Sequence, residues 1–390
     1  MKLRRLELDK RAAKAVQEGH PWVFADALPR NGPRPGDEVE LVDRFGAFLG
    51  RALAEGGGGG PALRILTRDP RAPDLRRLLA ARLRDARDLR RRALPADTDA
   101  FRLVHGEGDG LPGLVVDQYG DVLVLRPDSL GWAPHRSLLV EALRSQIEGV
   151  SSIVHKPKKG DVQQWHGDPP EPRVVSEAGR RYRVRPGHGQ KTGFFLDQRD
   201  TRTHVQALVQ AGDAVLNLFS FTGGFSVAAA LGGATRVVSV DLSASILEDC
   251  AEQFPLNGLD PEPHGFVSAD LFEWLPQQAR RRDAEVFDVV VCDPPALARK
   301  GADLPQAQAA YRRLHEALAP RIRPGGLLVT CSCTARLGPT ELLEDARVGL
   351  ALAGRSVQRI LRSGGAGIDH PLLPDLPGGN YLSALTLVID

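Results

Sequence analysis

Ala214-Val-Leu-Asn-Leu-Phe-Ser-Phe-Thr-Gly-Gly-Phe-Ser226 decides the fold. An apolar run passes into a loop of small residues and then into a helical pattern, so the stretch reads strand, glycine loop, helix. Small residues at such a turn let the backbone approach a ligand at the switch point of a doubly wound sheet. The G-x-G-x-x-G spacing is missing, which disfavours a dinucleotide site. Downstream, Arg236-Val-Val-Ser-Val-Asp241 ends the second strand in an acid placed to hold ribose hydroxyls, and Ser268-Ala-Asp270 puts a further acid after the third. Phe287-Asp-Val-Val-Val-Cys-Asp-Pro-Pro295 and Gly325-Gly-Leu-Leu-Val-Thr-Cys-Ser-Cys-Thr334 read as strands four and five. Apolar runs at 214–219, 236–241, 264–268, 286–292, 326–331 and 384–389 alternate with helical segments. That alternation predicts an α/β fold with a parallel, doubly wound, Rossmann-like sheet from about residue 190 to the end.

The chain upstream reads differently. Residues 1 to about 70 are β-rich, with strands at Leu3 to Leu8, 37–43, 45–50 and 62–67, a short helix over 10–19 and a loop at Gly56 to Gly60. Residues 74–94 form a helix whose apolar stripe is Leu75, Leu78, Leu79, Leu83 and Leu89. Its other faces carry Arg76, Arg77, Arg82, Arg84, Arg87, Arg90, Arg91 and Arg92 against Asp74, Asp85 and Asp88. This is either a solvated face beside a domain junction or a ridge for nucleic-acid phosphates. Short strands at 101–104, 113–117, 121–125 and 152–155, a helix over 138–147, a loop over 156–172 and a basic strand at 180–185 make a small α+β region.

Composition sets outer bounds. The 390 residues carry 51 Lys+Arg against 49 Asp+Glu, a formal net charge of +2, which excludes a uniformly polycationic protein. Of the basic residues, 43 are Arg, so only local Arg clusters inform. Four cysteines, Cys250, Cys292, Cys331 and Cys333, are too few and too irregular for a disulfide framework or a paired zinc site. The N-terminus alternates charged and apolar residues and reads as a strand rather than a signal peptide. No window approaches the ~20 apolar residues of a membrane span. The expected setting is a reducing cytoplasm, with no membrane partner and no metal.

The strand-four and strand-five motifs carry chemistry. The prolines of Asp293-Pro-Pro295 stiffen a pocket wall and hold Asp293 at its mouth. A Cys at the carboxyl end of a parallel strand lies at the active-site rim. A thiolate at that rim can act as a covalent nucleophile. By strand alternation Cys292 faces away from Asp293 and reads as core.

The three acids after successive strands have the spacing of S-adenosylmethionine-dependent methyltransferases, and Asp-Pro-Pro resembles motif IV of those acting on bases. The whole chain resembles the PUA-containing bacterial large-subunit ribosomal RNA cytosine-C5 methyltransferases, the RlmI type. The resemblance is carried by Gly19-His-Pro-Trp-Val-Phe24, Arg102-Leu-Val-His-Gly-Glu-Gly-Asp-Gly-Leu-Pro-Gly-Leu114 and Gly189-Gln-Lys-Thr-Gly-Phe-Phe-Leu-Asp-Gln-Arg-Asp200. Asn217 to Gly224, Asp293-Pro-Pro295 and Ser332-Cys-Thr334 complete it. It implies a small β-barrel PUA domain over 1–72, a central α+β domain with the basic helix over 73–185 and a methyltransferase domain over 186–390. It implies S-adenosylmethionine contacts from Phe194, Asp197, Gln198, Arg199, Asn217, Phe219, Ser220, Thr222, Gly223, Asp241, Ser243, Asp270 and Asp293. It implies Cys333 as nucleophile with Asp293 beside it, and substrate contacts from Pro294, Pro295, Lys191, Arg84, Arg87 and Arg91. The implied partner is 23S ribosomal RNA, free or in an assembling subunit, with the protein a monomer or a homodimer. N-methylation of guanine or adenine by the same fold, and a non-catalytic RNA-binding assembly factor, are the alternatives.

Overall fold

The computed structural model describes residues 3–28, 31–55, 60–281, 283–297, 303–334, 337–376 and 379–390. The expected glycine loop falls almost wholly outside them, at 56–59. The chain forms two compact units, one of residues 1–175, 184–196 and 368–377, the other of 176–183, 197–367 and 378–390.

The first unit holds two cores. In the N-terminal one, β1 (Arg4–Glu7), α1 (Lys10–Gln17), β2 (Trp22–Val23), β3 (Glu38–Val42), β4 (Phe48–Ala54) and β5 (Leu63–Thr67) give a sheet ordered β1-β3-β4-β5-β2. Leu6, Val16, Val39, Leu41, Ala52 and Leu63 fill its inner face. Asp9 starts α1 by accepting a hydrogen bond from the Ala12 backbone at 2.7 Å, and Gly19, in the left-handed region at φ 103°, ends it.

The second core begins with α2 (Leu75–Ala93). Its buried face is Leu75, Leu78, Leu79, Leu83, Ala86 and Arg90, whereas Leu89 is exposed. The periodicity thus runs through an arginine rather than through the last leucine. Arg90 survives burial because both guanidinium nitrogens pair with Asp109 and one also donates to the Asp369 carbonyl at 2.8 Å. Then come β6 (Ala100–His105), β7 (Val115–Tyr119), β8 (Val122–Leu125), α3 (Arg136–Gln146), β9 (Ser152–His155) and β10 (Gln163–His166), in a sheet ordered β10-β9-β8-β7-β6. β8 and β9 run parallel through the α3 crossover. The 156–172 loop contains a strand, β10, pairing antiparallel with β9. Its sequence, Gln-Gln-Trp-His, has no apolar alternation because it is an edge strand with little to bury.

A two-stranded hairpin, β11 (Arg173–Glu177) and β12 (Arg180–Val184), follows. The second unit contains α4 (Arg199–Leu208), β13 (Ala214–Leu218), α5 (Gly224–Leu231), β14 (Arg236–Asp241), α6 (Ala244–Leu256), β15 (Gly265–Ser268), α7 (Leu271–Ala279) and β16 (Phe287–Cys292). It continues with α8 (Leu304–Leu318), β17 (Ile322–Ser332), α9 (Pro339–Leu352), β18 (Val357–Gly364) and β19 (Ser383–Ile389). The sheet order is β15-β14-β13-β16-β17-β19-β18. β13 to β17 are parallel, as their unbroken apolar runs predict for strands covered on both faces. The far edge departs from an all-parallel sheet: β19 runs antiparallel to both β17 and β18. β18, Val-Gln-Arg-Ile-Leu-Arg-Ser-Gly, is a mostly exposed edge and carries no strand pattern.

Candidate active site

The order reverses at β13, flanked by β14 and β16, and the candidate residues gather at the carboxyl ends there. Phe219 and Phe221, straight after β13, take left-handed backbone conformations at φ 58° and 48°. Such strain in non-glycine residues persists only where the surroundings over-determine it, and it clusters at ligand sites. Gly223 is left-handed at φ 81°, and a Cβ there would lie 2.4 Å from the Cys250 sulfur. Asp241, at the end of β14, ties the loop down. Its Oδ2 accepts from the Phe221 backbone at 2.9 Å and its Oδ1 from that of Ser243 at 3.3 Å. Ser243 caps α6, and exposed Asp270 caps α7 through the Phe272 backbone at 2.9 Å. Asn217 is fully buried and donates to Ser226 at 2.8 Å, which bonds Ser239 at 2.7 Å. Thr222 is half-buried at the loop.

Asp293 follows β16 directly and is half-buried, with Pro294 buried and Pro295 exposed. β16 and β17 align Cys292 with Thr330. At these strand ends Asp293 and Cys333 both lie close enough to Cys331 for their charges to act on its thiol. The two thiols differ in surroundings. Cys331 is fully buried, and burial, helped by the charge of Asp293, pushes its thiol well above the ordinary range against a hydrogen bond from Gln198. Cys333, one step past the strand, is partly exposed. Cys292 and Cys250 are buried, and burial likewise raises both, Cys250 to about 12. Cys292 sits in the core as alternation predicts.

A buried ionic cluster stands under the 197–202 segment. Glu177, at the hairpin turn, is fully buried among Arg180, Arg199 and Arg202. Arg202 Nε donates to it at 2.8 Å. Burial pushes its carboxyl up, but the charges and hydrogen bonds of the arginines prevail and hold it below the usual carboxylate range. Arg199 therefore reaches 3.8 Å from Glu177 rather than open solvent. Asp197 is buried and accepts from Tyr381 at 2.7 Å. Tyr381 and Glu177 escaped the sequence reading: each is a lone residue far from any motif. Tyr311 of α8 is a third. Burial pushes its hydroxyl up, and neighbouring Cys333, Cys292 and Asp293 add to that.

Other expected residues belong to the first unit. Phe194 is buried, its backbone donating to the Tyr119 hydroxyl at 3.2 Å. Lys191 lies over the Phe195 ring at 4.5 Å. On α2, Arg84 and Arg91 are exposed, while Arg87 donates to the Gln146 carbonyl at 2.8 Å and pairs with Asp88. Among the described residues no group of His, Cys, Asp and Glu is arranged to hold a metal, and no helix is long and apolar enough to cross a membrane.

Residues 146–362 match the model of an S-adenosylmethionine-dependent methyltransferase family, and residues 6–68 match a PUA-like domain. Over 99% of its length the chain is 36% identical to a ribosomal RNA large subunit methyltransferase of Deinococcus radiodurans, covering 97% of that protein. Over 97% of its length it is 35% identical to the ribosomal RNA large subunit methyltransferase I of Escherichia coli strain K12, again covering 97%.

The chain belongs to the S-adenosylmethionine-dependent methyltransferase family.

The fold agrees. A methyltransferase solved with S-adenosylhomocysteine superposes with a TM-score of 0.86 at 25% identity, over 99% of this chain and 100% of that one. An S-adenosylmethionine-dependent methyltransferase of Streptococcus mutans gives 0.84 at 24% identity over the same shares and supports the fold. The residues of this methyltransferase fit its cofactor. Gln198 Oε1, Asn217 Oδ1 and Ser220 Oγ are buried with no hydrogen-bond partner among the described residues, a costly state unless a polar ligand answers them. Gly223 leaves its backbone bare, and each Asp241 oxygen keeps a lone pair beyond its one backbone bond.

Proposed function

We propose that this protein methylates C5 of a cytosine in large-subunit ribosomal RNA through a covalent adduct on Cys333. The observation that carries the reading is the contrast at the end of β17: a partly exposed Cys333 beside a sealed Cys331, on the strand next to Asp293. A methyltransferase acting on a base nitrogen needs no thiol at this rim. The relatives' names supply the substrate class, and a PUA-like domain and the exposed arginines of α2 supply surface for RNA.

S-adenosylmethionine, when bound, supplies an electrophilic methyl on a sulfonium. Asp241 holds the ribose hydroxyls, Asp270 the adenine amino group, and Asp197, Gln198, Asn217, Ser220 and Gly223 the remainder. The target cytosine leaves its stack, since C5 and C6 are out of reach within one. The Cys333 thiolate adds to C6, and the electron pair moves onto the ring, where Asp293 bonds the N3/N4 edge. With S-adenosylmethionine in place, C5 would take its methyl as the sulfur–methyl bond breaks and S-adenosylhomocysteine leaves with the electron pair; C5 would then lose its proton to a base, and the ring electrons would expel the thiolate from C6. Cys292 and Cys331 take no part, because burial keeps their thiols protonated.

RNA carrying 5-fluorocytosine tests the adduct. Fluorine cannot leave C5 as the proton does, so wild-type protein should stay covalently attached to it through denaturing electrophoresis, and Cys333→Ala should not. An equal yield of attached RNA from both proteins would overturn the assignment.

A further inference from the structure

On the first unit, α3 and the edge strand β10 flank an open groove of about 750 Å³, lined by residues that include Arg136, Val140, Glu141, Arg144 and Trp165. Arg136, Val140 and Arg144 stand four residues apart and share one helix face. The groove has an aromatic wall. The Trp165 ring lies 4.6 Å from His155 at an interplanar angle of 31°, and the Arg136 guanidinium carbon is 5.4 Å from its centre. Arg136 is fixed there by donating to the Gln164 carbonyl at 3.1 Å.

The charges are unbalanced. Glu141, the acid among the lining residues, is paired with Arg76 of α2. Among the described residues, Arg136 and Arg144 have no carboxylate partner where they line the groove. A guanidinium layered on an aromatic ring beside a second free arginine suits a base and its phosphate together, since bases stack on aromatic and guanidinium planes while arginine meets the phosphate.

We propose that this groove binds a single-stranded segment of the RNA substrate, with one base continuing the His155–Trp165–Arg136 stack and Arg144 meeting a phosphate. The proposal rests on the RNA substrate of the proposed function, but not on which atom is methylated.

The test uses full-length protein and a fluorescein-labelled single-stranded uridine dodecamer, read by anisotropy and by tryptophan fluorescence. Wild type should bind it and lose part of its fluorescence. Trp165→Ala removes the ring that sets Arg136 in the stack and should weaken binding about 5-fold or more, whereas Trp165→Phe should bind within about twofold and lose the quench. Arg136→Ala with Arg144→Ala, both surface changes that leave the fold intact, should weaken binding about tenfold or more and lower the salt slope. Wild type that fails to bind the dodecamer, variants that bind like wild type, or heparin competing equally well against wild type and Trp165→Ala would each overturn the groove. Nucleoside analysis of treated ribosomal RNA separates the two claims. Binding with quench but no 5-methylcytidine sinks the C5 reading alone, and 5-methylcytidine with unaffected variants sinks the groove alone.

Discussion

The carboxyl rim of the β13–β17 sheet and the arginine face of α2 both show in the sequence as charged residues in order, yet they behave differently. At the rim, Asp241, Asp270 and Asp293 each sit just at or past a strand end, the edge at which doubly wound sheets bind ligands. On α2 the arginines divide: Arg90 is buried against Asp109, Arg82 bonds the Gly110 carbonyl, Arg76 takes Glu141, and Arg87 reaches across to the end of α3. Arg84, Arg91 and Arg92 remain exposed. A charge at a strand end has its surroundings set by the fold, whereas a charge on a helix has them set by what packs nearby. Charge alone does not distinguish a binding ridge from structural ion pairs.

The largest effects are expected at the buried pairs. Asp109→Ala leaves Arg90 an uncompensated buried charge and should cost about 3–5 kcal/mol in chemical denaturation. Glu177→Gln should act similarly in the other unit and also change the acid limb. The Glu177 carboxyl is lowered in the folded state, so its stabilisation is present above its ordinary value near 4.5 and is lost as pH falls through the folded one. The variant's stability should then depend less on pH below 4.5, and an unchanged acid profile would contradict the pairing.

Gly223→Ala is next. It forces a Cβ against Cys250 in a left-handed backbone, and about 1–3 kcal/mol of strain should appear as lost stability with weaker S-adenosylmethionine binding by calorimetry. Full binding would show that the loop is not the cofactor cradle. Smaller still is Arg84→Ala with Arg91→Ala, which should lower the logarithmic salt slope of RNA binding by about 2. Adding Arg87→Ala should change the slope less than either, because that side chain is already engaged. Leu89→Lys, on the exposed side of α2, should move stability by no more than about 0.5 kcal/mol.

What could be read from the sequence follows the same physics. Strands β13, β14, β16 and β17 are covered on both faces, so they spell long apolar runs. β10 and β18 are edges and spell nothing periodic. The antiparallel turn of β19 is equally invisible, because direction leaves no mark on an apolar run. Within the candidate site, the strand-end acids and Cys333 are fixed by local motifs. Tyr381 reaches Asp197 from 184 positions away and Glu177 gathers Arg199 and Arg202 from beyond the next loop, so neither shows until the chain is folded. Arg90 shows the opposite failure: its spacing from Leu79, Leu83 and Ala86 fits the buried stripe, but its charge assigns it to a solvent face and leaves Leu89 in its place.

The most direct test of the central claim is nucleoside mass spectrometry of ribosomal RNA lacking the modification, incubated with S-adenosylmethionine and either wild-type protein or Cys333→Ala. Wild type should give 5-methylcytidine and the variant a loss on the order of 10³-fold or more, while cofactor binding persists. An N-methylated guanosine or adenosine from wild type, or full turnover by Cys333→Ala, would contradict it.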